Sequence, residues 1–320
     1  MTLLQEIKQQ SLQLGFDLVG ITDAEAIEAD QVRLFTDWLS RGYAAQMEYM
    51  RRNFEKRIDP SKLLPGAQSV IVLGLNYTPH ERKPKDPKTS SAAGRVANFA
   101  QYEDYHLFIK KKLRALVAFV AERVGFGVQF KICVDVEPLA ERALAVKAGL
   151  GFIGKNHMLI NPQLGCQILF GEIITSLELS ADKPIKGDCS DCGKCIRACP
   201  TGALRPDGQF DANICISYLT IEHKDKIPAE LAEKIGDRIF GCDECVLACP
   251  WQKSAPVCKN REFKFYADRV VFDLKEVLNL NQQDFYNKFA DSCFSRLGLE
   301  NLKRNAKICL ENMAHNDFSK

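Results

Sequence analysis

Cysteine is the residue with the clearest chemical pattern in this sequence, which contains 13 cysteines among its 320 residues. One run reads Cys-x2-Cys-x2-Cys-x3-Cys-Pro and extends from Cys189 to Pro200. A second run reads Cys-x2-Cys-x3-Cys-Pro, from Cys242 to Pro250, and Cys215 lies upstream of it. Closely spaced thiolates can bind the irons of one cubic cluster, while the cysteine that precedes the proline binds the neighbouring cluster. The spacing therefore predicts two [4Fe–4S] clusters.

Each predicted cluster takes one cysteine from the other run. The second run departs from the usual pattern, because its first cysteine is displaced upstream to Cys215. The eight ligands form two sets, Cys189, Cys192, Cys195 and Cys249 for cluster one, and Cys199, Cys215, Cys242 and Cys245 for cluster two. The alternative is two zinc sites of four cysteines each, but the triple spacing followed by Cys-Pro favours iron and sulfide.

The overall composition indicates a protein of the reducing cytosol with about two domains. Of its residues 46% are apolar, and 43 Lys and Arg against 41 Asp and Glu leave a net charge of +2. The N-terminus has no apolar signal segment, and no apolar run approaches the roughly 20 residues that span a membrane. Cysteines in such a compartment favour metal binding over disulfides. Those outside the two ligand sets are interpreted as buried apolar side chains: Cys133, Cys166, Cys258, Cys293 and Cys309.

The segments around the cysteine runs have a mixed pattern of helices and strands. Apolar residues at helical spacing predict helices over 1–18 and 106–124, and Pro138 is expected to begin another that continues to about Ala148. Apolar runs and alternation predict strands over 69–75, 128–134 and 167–177. A run rich in Lys, Pro and Ser over 80–94 predicts an exposed loop, and a short pair of helices is expected over 297–312.

These elements predict an α+β fold in three parts. Residues 1–180 are expected to form a mixed α/β domain, and residues 181–255 a ferredoxin-like module for the two [4Fe–4S] clusters. Residues 256–320 are expected to form a short helical tail.

Asp135 is the strongest candidate for acid–base chemistry outside the cysteine runs. It follows a predicted strand and precedes a predicted helix, a position where α/β domains often place active-site groups. Helix capping is the alternative role, but Glu137 is the better candidate for the cap if Pro138 is the first helical residue. As a proton donor, Asp135 would have to stay protonated near neutral pH, which requires partial burial beside an apolar surface.

A glycine motif is not expected to carry the chemistry that its spacing suggests. Gly149, Gly151 and Gly154 fit G-x-G-x-x-G, but they follow a helix and lead toward a strand, the reverse of a dinucleotide site. Lys155 is followed by Asn156 rather than by the Ser or Thr of a P-loop. The glycines are expected to end a helix and to form a close turn.

Several runs, taken together with the cysteines, resemble epoxyqueuosine reductases. They extend over nearly the whole chain and comprise Glu55-Lys56-Arg57, Asp104-Tyr105-His106, Val134-Asp135, Glu141-Arg142-Ala143, residues 148–156 (AGLGFIGKN), Gly171-Glu172-Ile173, residues 215–220 (CISYLT) and Arg304-Asn305-Ala306. By this pattern the nearest other relatives are the reductive dehalogenases, which join a cobalamin domain to the same kind of cluster module.

The resemblance implies a reaction, a cofactor and a fold. The reaction removes the epoxide oxygen of epoxyqueuosine, at the wobble position of a tRNA, as water and leaves the alkene of queuosine. The clusters would pass single electrons to cobalamin in a nitroreductase-like domain. The family's proton donor falls on Asp135. Its cobalamin contacts fall on Arg57, Ala97, Asp135, Leu159, Phe170, Ser217, Cys242 and Asp243.

The segment from Asp104 to Ile109 is similar to the Asp-x-His-x-x-Gly signature with which some B12 enzymes bind cobalt. Ile109 replaces the glycine, so His106 is not expected to be a lower cobalt ligand. Neither composition nor spacing indicates cobalamin by itself, and only the resemblance implies it.

A tRNA substrate requires cations for its phosphates and an opening for the modified base. Lys303 and Arg304 lie in a family motif of the tail and are the preferred candidates for phosphate contacts. Thr220 and Lys224 follow Cys215 and are expected to line the substrate entrance. The modified base would have to leave the anticodon loop to reach a buried cofactor. The cations at 82–88 are interpreted as part of a solvated loop.

Two other functions use parts of the same pattern. An enzyme like a reductive dehalogenase would use the same cofactors on a small organic molecule, but the runs around Asp135 count against it. A ferredoxin-type electron carrier would need little beyond residues 185–255. For the reductase we also expect an external one-electron donor, a monomeric state, a cytoplasmic location and no membrane contact.

Overall fold

The computed structural model describes residues 1–80 and 92–317, and these contain nine β-strands and fourteen α-helices. The strands are β1 (Leu18–Asp23), β2 (Ser69–Asn76), β3 (Ala93–Val96), β4 (Phe130–Cys133), β5 (Phe152–Ile153), β6 (Leu159–Ile160), β7 (Ile168–Thr175), β8 (Arg238–Phe240) and β9 (Val271–Asp273). The helices are α1 (Leu3–Gln13), α2 (Ala29–Ser40), α3 (Phe54–Ile58), α4 (Tyr105–Val124), α5 (Glu141–Lys147), α6 (Lys194–Ala198), α7 (Ile216–Ile221), α8 (Ala229–Ile235), α9 (Glu244–Leu247), α10 (Pro250–Lys253), α11 (Leu274–Asn279), α12 (Gln282–Phe289), α13 (Phe294–Leu297) and α14 (Leu299–Asp317).

The main sheet contains four strands in the order β1-β2-β7-β4, and every neighbouring pair is antiparallel. All eight residues of the central strand β2 are buried, which requires that both faces of the sheet be covered. Helices α1 and α4 cover one face, where Ile109 and Ile71 belong to one apolar cluster. Helix α5 covers the other face, where Leu144 and Val70 belong to a second cluster. Two-sided burial therefore explains the continuous apolar runs of β2 and β7.

A second sheet, in the order β8-β3-β9, brings distant parts of the chain together. Strand β3 is parallel to β8 and antiparallel to β9, so each of the three predicted parts contributes one strand. Helix α14 packs on α11 and β8, and its Leu302 and Ala306 lie in the same apolar cluster as Val96 and Phe240. The boundaries at 180 and 255 therefore describe the sequence pattern and do not separate independent cores.

The long predicted elements agree closely with the structure. Strand β2, helix α4 and strand β7 fall on the segments predicted over 69–75, 106–124 and 167–177. The prediction that the glycine motif ends a helix is also confirmed, because α5 ends before Gly149, whose φ is 75°. A Cβ at Gly149 would lie 2.5 Å from the carbonyl oxygen of Lys183, so only glycine fits this close turn.

Several predicted boundaries are wrong for local reasons. The first helix ends at Gln13, because Gly15 adopts a φ of 94° and strand β1, which was not predicted, begins at Leu18. The helix expected from Pro138 begins at Glu141, since the backbone N–H of Leu139 donates to Glu137 O in a tight turn. Strand β4 is shorter than the predicted strand over 128–134.

The C-terminal helices and the predicted loop also differ from expectation. Helix α14 has 19 residues and follows the single turn of α13, with Gly298 between them at a φ of 82°. Most of the loop predicted over 80–94, with its cations at 82–88, lies outside the described residues. Ala93 already belongs to strand β3.

Candidate active site and cluster-binding module

The four cysteines assigned to cluster one line a single cavity of about 210 Å³. Cys195 lies in α6, and Cys249 immediately precedes α10. The backbone N–H of Lys155 donates to Cys189 Sγ at 3.5 Å, and hydrogen bonds to cluster sulfurs are one determinant of the reduction potential. Four thiols around one cavity fit the donor set that a [4Fe–4S] cluster requires.

The four cysteines assigned to cluster two also lie close together. Cys199 ends α6, Cys215 precedes α7 and Cys245 lies in α9, and helices α6 and α9 pack against each other. Burial raises the pKa of the Cys245 thiol above its ordinary value, and the charges of Cys242, Cys215 and Cys199 raise it further. Four neighbouring thiols cannot all ionise unless cations compensate their charge, and the irons of a cluster can do so.

Asp135 lies in the loop between β4 and α5, with its backbone in the left-handed region at a φ of 57°. Its Oδ2 accepts a hydrogen bond from the Tyr105 hydroxyl at 3.0 Å and lies 3.0 Å from His106 Nε2. Its backbone N–H donates to Glu141 Oε1 at 2.7 Å. A left-handed non-glycine residue costs roughly 1–3 kcal/mol, so these contacts must hold the carboxylate in place.

The ionisation of Asp135 differs from the expectation of a carboxylic acid that is protonated near neutral pH. Burial alone would raise its pKa, but hydrogen bonds from His106 and Tyr105 and the charges of His106 and Arg296 hold the pKa below its ordinary value. The side chain is also 51% exposed. In this arrangement Asp135 is therefore a carboxylate at neutral pH, and that expectation is wrong.

His106, at the start of α4, is the buried partner of Asp135. Its Nδ1 lies 2.6 Å from Asp104 Oδ1, and its Nε2 lies 2.9 Å from a terminal nitrogen of Arg296. Its ring stacks on Tyr105 with the centroids 3.9 Å apart. Burial alone would lower the pKa of His106, but the hydrogen bonds and charges of Asp104 and Asp135 raise it above its ordinary value.

A group of glutamates lies behind the Asp135 loop. Glu137 does not cap α5 as predicted, because its Oε2 accepts a hydrogen bond from Val134 N at 3.0 Å. Burial and the charge of Asp135 raise the pKa of the half-buried Glu141 to about 7. Glu172 lies opposite Cys133 in the sheet and is fully buried, and burial and the charge of Glu141 raise its pKa well above the ordinary value.

Arg57, a predicted cofactor contact, lies near Asp135. Its guanidinium donates to the carbonyl oxygens of Tyr49 at 3.1 Å and of Leu139 at 3.5 Å. Among the described residues its buried Nε has no hydrogen-bond partner. Such an atom costs roughly 1–3 kcal/mol when it stays unpaired, and it is therefore available to a polar group of a ligand.

A second group of predicted cofactor contacts lies beside cluster two. Ala97, Cys242 and Asp243 line a cavity of about 120 Å³, and Asp243 Oδ2 accepts a hydrogen bond from Asn98 N at 2.6 Å. Burial raises the pKa of Asp243 to about 6. A Cβ at Gly241 would lie 2.5 Å from Ala97 Cβ, so glycine is required for this close approach.

The other predicted contacts occupy separate positions. Leu159 and Phe170 are buried in the apolar cluster under α5, together with Leu144. Ser217 is half-buried in the first turn of α7, two residues after Cys215. The predicted cofactor residues therefore form three groups: around Asp135, beside cluster two, and on the α5 face of the main sheet.

Thr220 does not lie where a tRNA contact requires it. It is fully buried, and its hydroxyl donates to Ile216 O at 2.8 Å and accepts from Gly241 N at 2.9 Å. The hydroxyl joins α7 to the end of β8 and cannot line an entrance. The assignment of Thr220 to the tRNA surface is therefore wrong.

Arg304 is also engaged inside the protein rather than free for a phosphate. Its terminal nitrogens donate to the carbonyl oxygens of Leu219, His223 and Asp225 at 2.6–3.0 Å. Its predicted phosphate contact is contradicted by this geometry, since the guanidinium is used to hold the segment after α7. Lys224 is exposed and Lys303 is half-buried, and both stay predictions.

The site contains residues that the sequence pattern did not identify as functional. Tyr105 and Glu141 lie in runs of the family resemblance, which was the available signal for them. Arg296 had no such signal, because it lies on α13 and reaches His106 across 190 positions of the chain.

A mixed α/β fold with two four-cysteine groups and a carboxylate–imidazole pair defines an iron–sulfur protein with an acid–base site. Residues 188–252 match the family described as the 4Fe-4S double cluster binding domain. Residues 57–136 match the family described as epoxyqueuosine reductase QueG, DUF1730. The ferredoxin-like module predicted from the cysteine spacing is thereby confirmed.

Relatives of known name align over nearly the whole chain. An epoxyqueuosine reductase of Leadbetterella byssophila is 40% identical over 96% of this chain and 98% of its own length. That of Escherichia coli K12 is 34% identical over 97% of this chain and 81% of its own length. A crystal structure of epoxyqueuosine reductase with an epoxyqueuosine-modified tRNA-Tyr stem loop superposes with a TM-score of 0.90 at 32% identity, covering 97% of this chain and 81% of that chain. The chain belongs to the epoxyqueuosine reductase family, as the sequence motifs predicted.

Within residues 1–80 and 92–317 no helix is both long and apolar enough to cross a bilayer.

Proposed function

We propose that this protein reduces the epoxide of epoxyqueuosine in tRNA to the alkene of queuosine. The observation that carries the proposal is the Asp135 carboxylate, held by Tyr105 and His106 in a chain that also gathers two four-cysteine groups. Removal of the epoxide oxygen as water consumes two electrons and two protons. The cysteine groups and the acid–base pair meet these two needs.

The electrons arrive singly, because each [4Fe–4S] cluster carries one electron at a time. We assign cluster one to the cysteines that line the 210 Å³ cavity and cluster two to Cys199, Cys215, Cys242 and Cys245. The exposed fraction of Trp251, which also lines that cavity, is 37%. Cluster one would therefore be the entry point for an external one-electron donor, and cluster two would pass the electron inward.

Cobalamin is the cofactor that the family resemblance implies between cluster two and the substrate. Two buried atoms without a hydrogen-bond partner among the described residues fit the polar edge of such a group. They are Nε of Arg57 and Oε1 of Gln101, which lines the cavity beside Ala97 and Cys242. Leu159, Phe170, Ser217 and Asp243 would hold it together with those residues. When bound, it supplies a strongly reduced cobalt for the opening of the strained ring.

Asp135 donates the proton that the epoxide oxygen needs. The structure of the Bacillus subtilis relative, at 32% identity and a TM-score of 0.89, is described as having its catalytic aspartate loop swung out of the active site. In the present chain the Asp135 loop has a left-handed φ and is held by three hydrogen-bonding contacts to Tyr105, His106 and Glu141, which supports a defined position for the carboxylate. We propose that Asp135 corresponds to that aspartate.

The tRNA approaches from the side of Lys224. The charge of Lys224 acts on Glu222, which in turn interacts with Asp135, so this exposed cation lies near the opening of the site. Lys303 is the second candidate for a phosphate contact. We further propose that the protein acts in the cytoplasm, since its cluster cysteines require reducing conditions. We also propose that it is a monomer.

The test is anaerobic reconstitution with iron, sulfide and cobalamin, followed by mass spectrometry of nucleosides from epoxyqueuosine-containing tRNA. Wild-type protein is expected to form queuosine only when cobalamin is present. Asp135→Asn is expected to lower the rate at least about 100-fold, since a positioned general acid contributes that much. Asp30→Asn is the matched control, because Asp30 is exposed and forms a surface ion pair with the exposed Arg33.

The outcomes separate this function from the alternatives. Bound cobalamin and eight irons without conversion of tRNA would indicate a reductase for a small molecule. Bound irons without any cobalamin, together with electron transfer to another protein, would indicate a carrier. Equal losses in Asp135→Asn and Asp30→Asn would remove the role assigned to Asp135.

A further inference from the structure

The residues around His106 form a chain of groups that can hold and pass a proton. Asp104 Oδ1 lies 2.6 Å from Nδ1, and Asp135 Oδ2 lies 3.0 Å from Nε2. Asp104 also accepts a hydrogen bond from the backbone N–H of His106 at 2.9 Å, so it is fixed at the first turn of α4. A fixed carboxylate on Nδ1 keeps that nitrogen protonated and leaves Nε2 as the nitrogen that exchanges its proton.

We propose that His106, oriented by Asp104, stores the proton that Asp135 delivers to the substrate, and that Arg296 stabilises the imidazole after the proton has left. The inference rests on the proposed function, because it supplies the acid that epoxide opening needs. In the transfer the Nε2–H bond breaks and an O–H bond forms on Asp135 Oδ2. The imidazolium becomes a neutral imidazole, the carboxylate becomes a carboxylic acid, and no electron moves.

The position of Arg296 carries the second half of the proposal. While His106 Nε2 is protonated it donates to Asp135. Nη1 of Arg296 lies 2.9 Å from Nε2, but it is also a donor and therefore has no acceptor there. Once the proton has moved, Nε2 has a free lone pair and accepts a hydrogen bond from that nitrogen. The guanidinium cannot lose its own proton. Arg296 therefore favours the neutral imidazole and drives the proton toward Asp135.

The charged and titratable groups that face His106 come from four elements. They are Asp104 and Tyr105 from the start of α4, Asp135 from the loop after β4, Glu141 from α5, and Cys293 and Arg296 from α13 and its N-terminus. Asp104, His106 and Cys293 lie close enough together to bind a metal ion, but the guanidinium beside Nε2 repels a cation there. The carboxylates of Asp104 and Asp135 are the groups that hold a proton on the imidazole.

The directions of the pKa shifts agree with the contacts of His106 to the two carboxylates. The pKa of His106 lies above its ordinary value and that of Asp135 below, so the proton of the pair is on the imidazole. A group with a raised pKa keeps its proton up to that pKa and loses it as the pH rises further. The rate of epoxide reduction should therefore be constant below the pKa of His106 and fall on its alkaline side.

The first experiment measures this pH profile with the reconstituted holoenzyme. His106→Gln is expected to lower the rate at least about tenfold at neutral pH and to abolish the alkaline fall, because glutamine has no proton to exchange. Asp104→Asn keeps a good N-cap for α4 but weakens the hold on the imidazole, so its alkaline fall should shift to lower pH. His80→Gln, at an exposed position, is expected to retain the wild-type profile. A slower His106→Gln enzyme with the wild-type profile would assign His106 a purely structural role and overturn the proposal.

A second experiment does not depend on turnover. Nitrogen-15 NMR of labelled histidines in the oxidised holoprotein follows the titration of His106, whose signal is the one missing in His106→Gln. It is expected to titrate above about 6.5, the ordinary histidine value, and at lower pH in Asp135→Asn. Titration at or below 6.5 in the wild type would overturn proton storage even in an active enzyme. High titration in a protein that does not convert epoxyqueuosine would support proton storage and reject the proposed substrate.

Discussion

The side chains that define the site are of two kinds, thiols in ligand sets and carboxyls whose ionisation depends on a neighbour. The residue type and spacing of the cysteines are enough to indicate their role, since iron–sulfur clusters are bound by thiolates at that spacing. The residue type of a carboxyl does not indicate whether it is ionised. Asp135 is ionised because of His106, Tyr105 and Arg296, whereas Glu172 is held neutral by burial. The same functional group, a carboxyl, therefore has opposite ionisation states at these two positions.

At the residue scale, the crossed ligand sets predict which irons each cysteine holds. Cys249→Ser is expected to remove the irons of cluster one, although Cys249 lies in the second run, because its thiol lines the cavity with Cys189, Cys192 and Cys195. About four of eight irons should remain. Iron and sulfide analysis together with electron paramagnetic resonance of the reduced protein measures the loss.

The matched control is Cys309→Ser, at a fully buried cysteine of α14 outside both ligand sets. It should retain eight irons. If Cys249→Ser instead lost the signal of cluster two, the exchange of ligands between the runs would be rejected.

At the element scale, the position of α14 depends on one buried amide. Asn305 is fully buried, and its side-chain N–H groups donate to Thr220 O at 2.8 Å and to Ile239 O at 3.0 Å. These bonds tie α14 to the end of α7 and to β8. Those two elements lie on either side of the segment that carries Lys224, so Asn305 supports the side from which the substrate approaches.

Asn305→Ala leaves both carbonyl oxygens buried without this partner. Each such group costs roughly 1–3 kcal/mol, so the free energy of unfolding should fall by about 3 kcal/mol. Anaerobic urea unfolding of the holoprotein measures the change. The control is Asn301→Ala, which removes one bond to Leu297 O from a half-buried side chain of the same helix. A loss as small as that of the control would show that Asn305 does not hold α14 in place.

At the scale of the whole molecule, the cluster module is built into the α/β core. Both ends of the Gln252 side-chain amide are hydrogen-bonded. Its Nε2 donates to Thr78 Oγ1 and to Gln167 Oε1, both at 2.9 Å, and its Oε1 accepts from Cys166 N. The second sheet adds one strand from each predicted part of the chain. The groups proposed for electron entry, proton storage and substrate approach therefore belong to one packed structure rather than to three separate cores.

The substrate side of the molecule predicts a dependence on salt. Lys224→Gln removes one cation near the opening, so the slope of log affinity for tRNA against log salt should decrease by about 0.7–0.9. Arg123→Gln is the matched control, because Arg123 lies roughly 25 Å from His106 along α4. Filter binding of epoxyqueuosine-containing tRNA over a range of salt measures both slopes. Identical slopes in the two variants would place the phosphate contacts elsewhere.

The sequence by itself determined the cysteine pattern of a double-cluster domain, the family and the long elements of the core. Each of these depends on short-range spacing, such as thiols a few residues apart and apolar residues along one strand. The separation of side chains along a strand or helix is fixed by backbone geometry, so the pattern is visible without the fold.

Only the tertiary structure decided where protons lie and which polar groups are accessible. The contact between Arg296 and His106 joins residues 190 positions apart, and the ionisation of Asp135 follows from that arrangement. Thr220 was predicted to face tRNA because it follows Cys215, and Arg304 because it lies in a family motif of the tail, yet packing turns both inward. Desolvation and long-range charge depend on every neighbour in space, and no local pattern of residues contains that information.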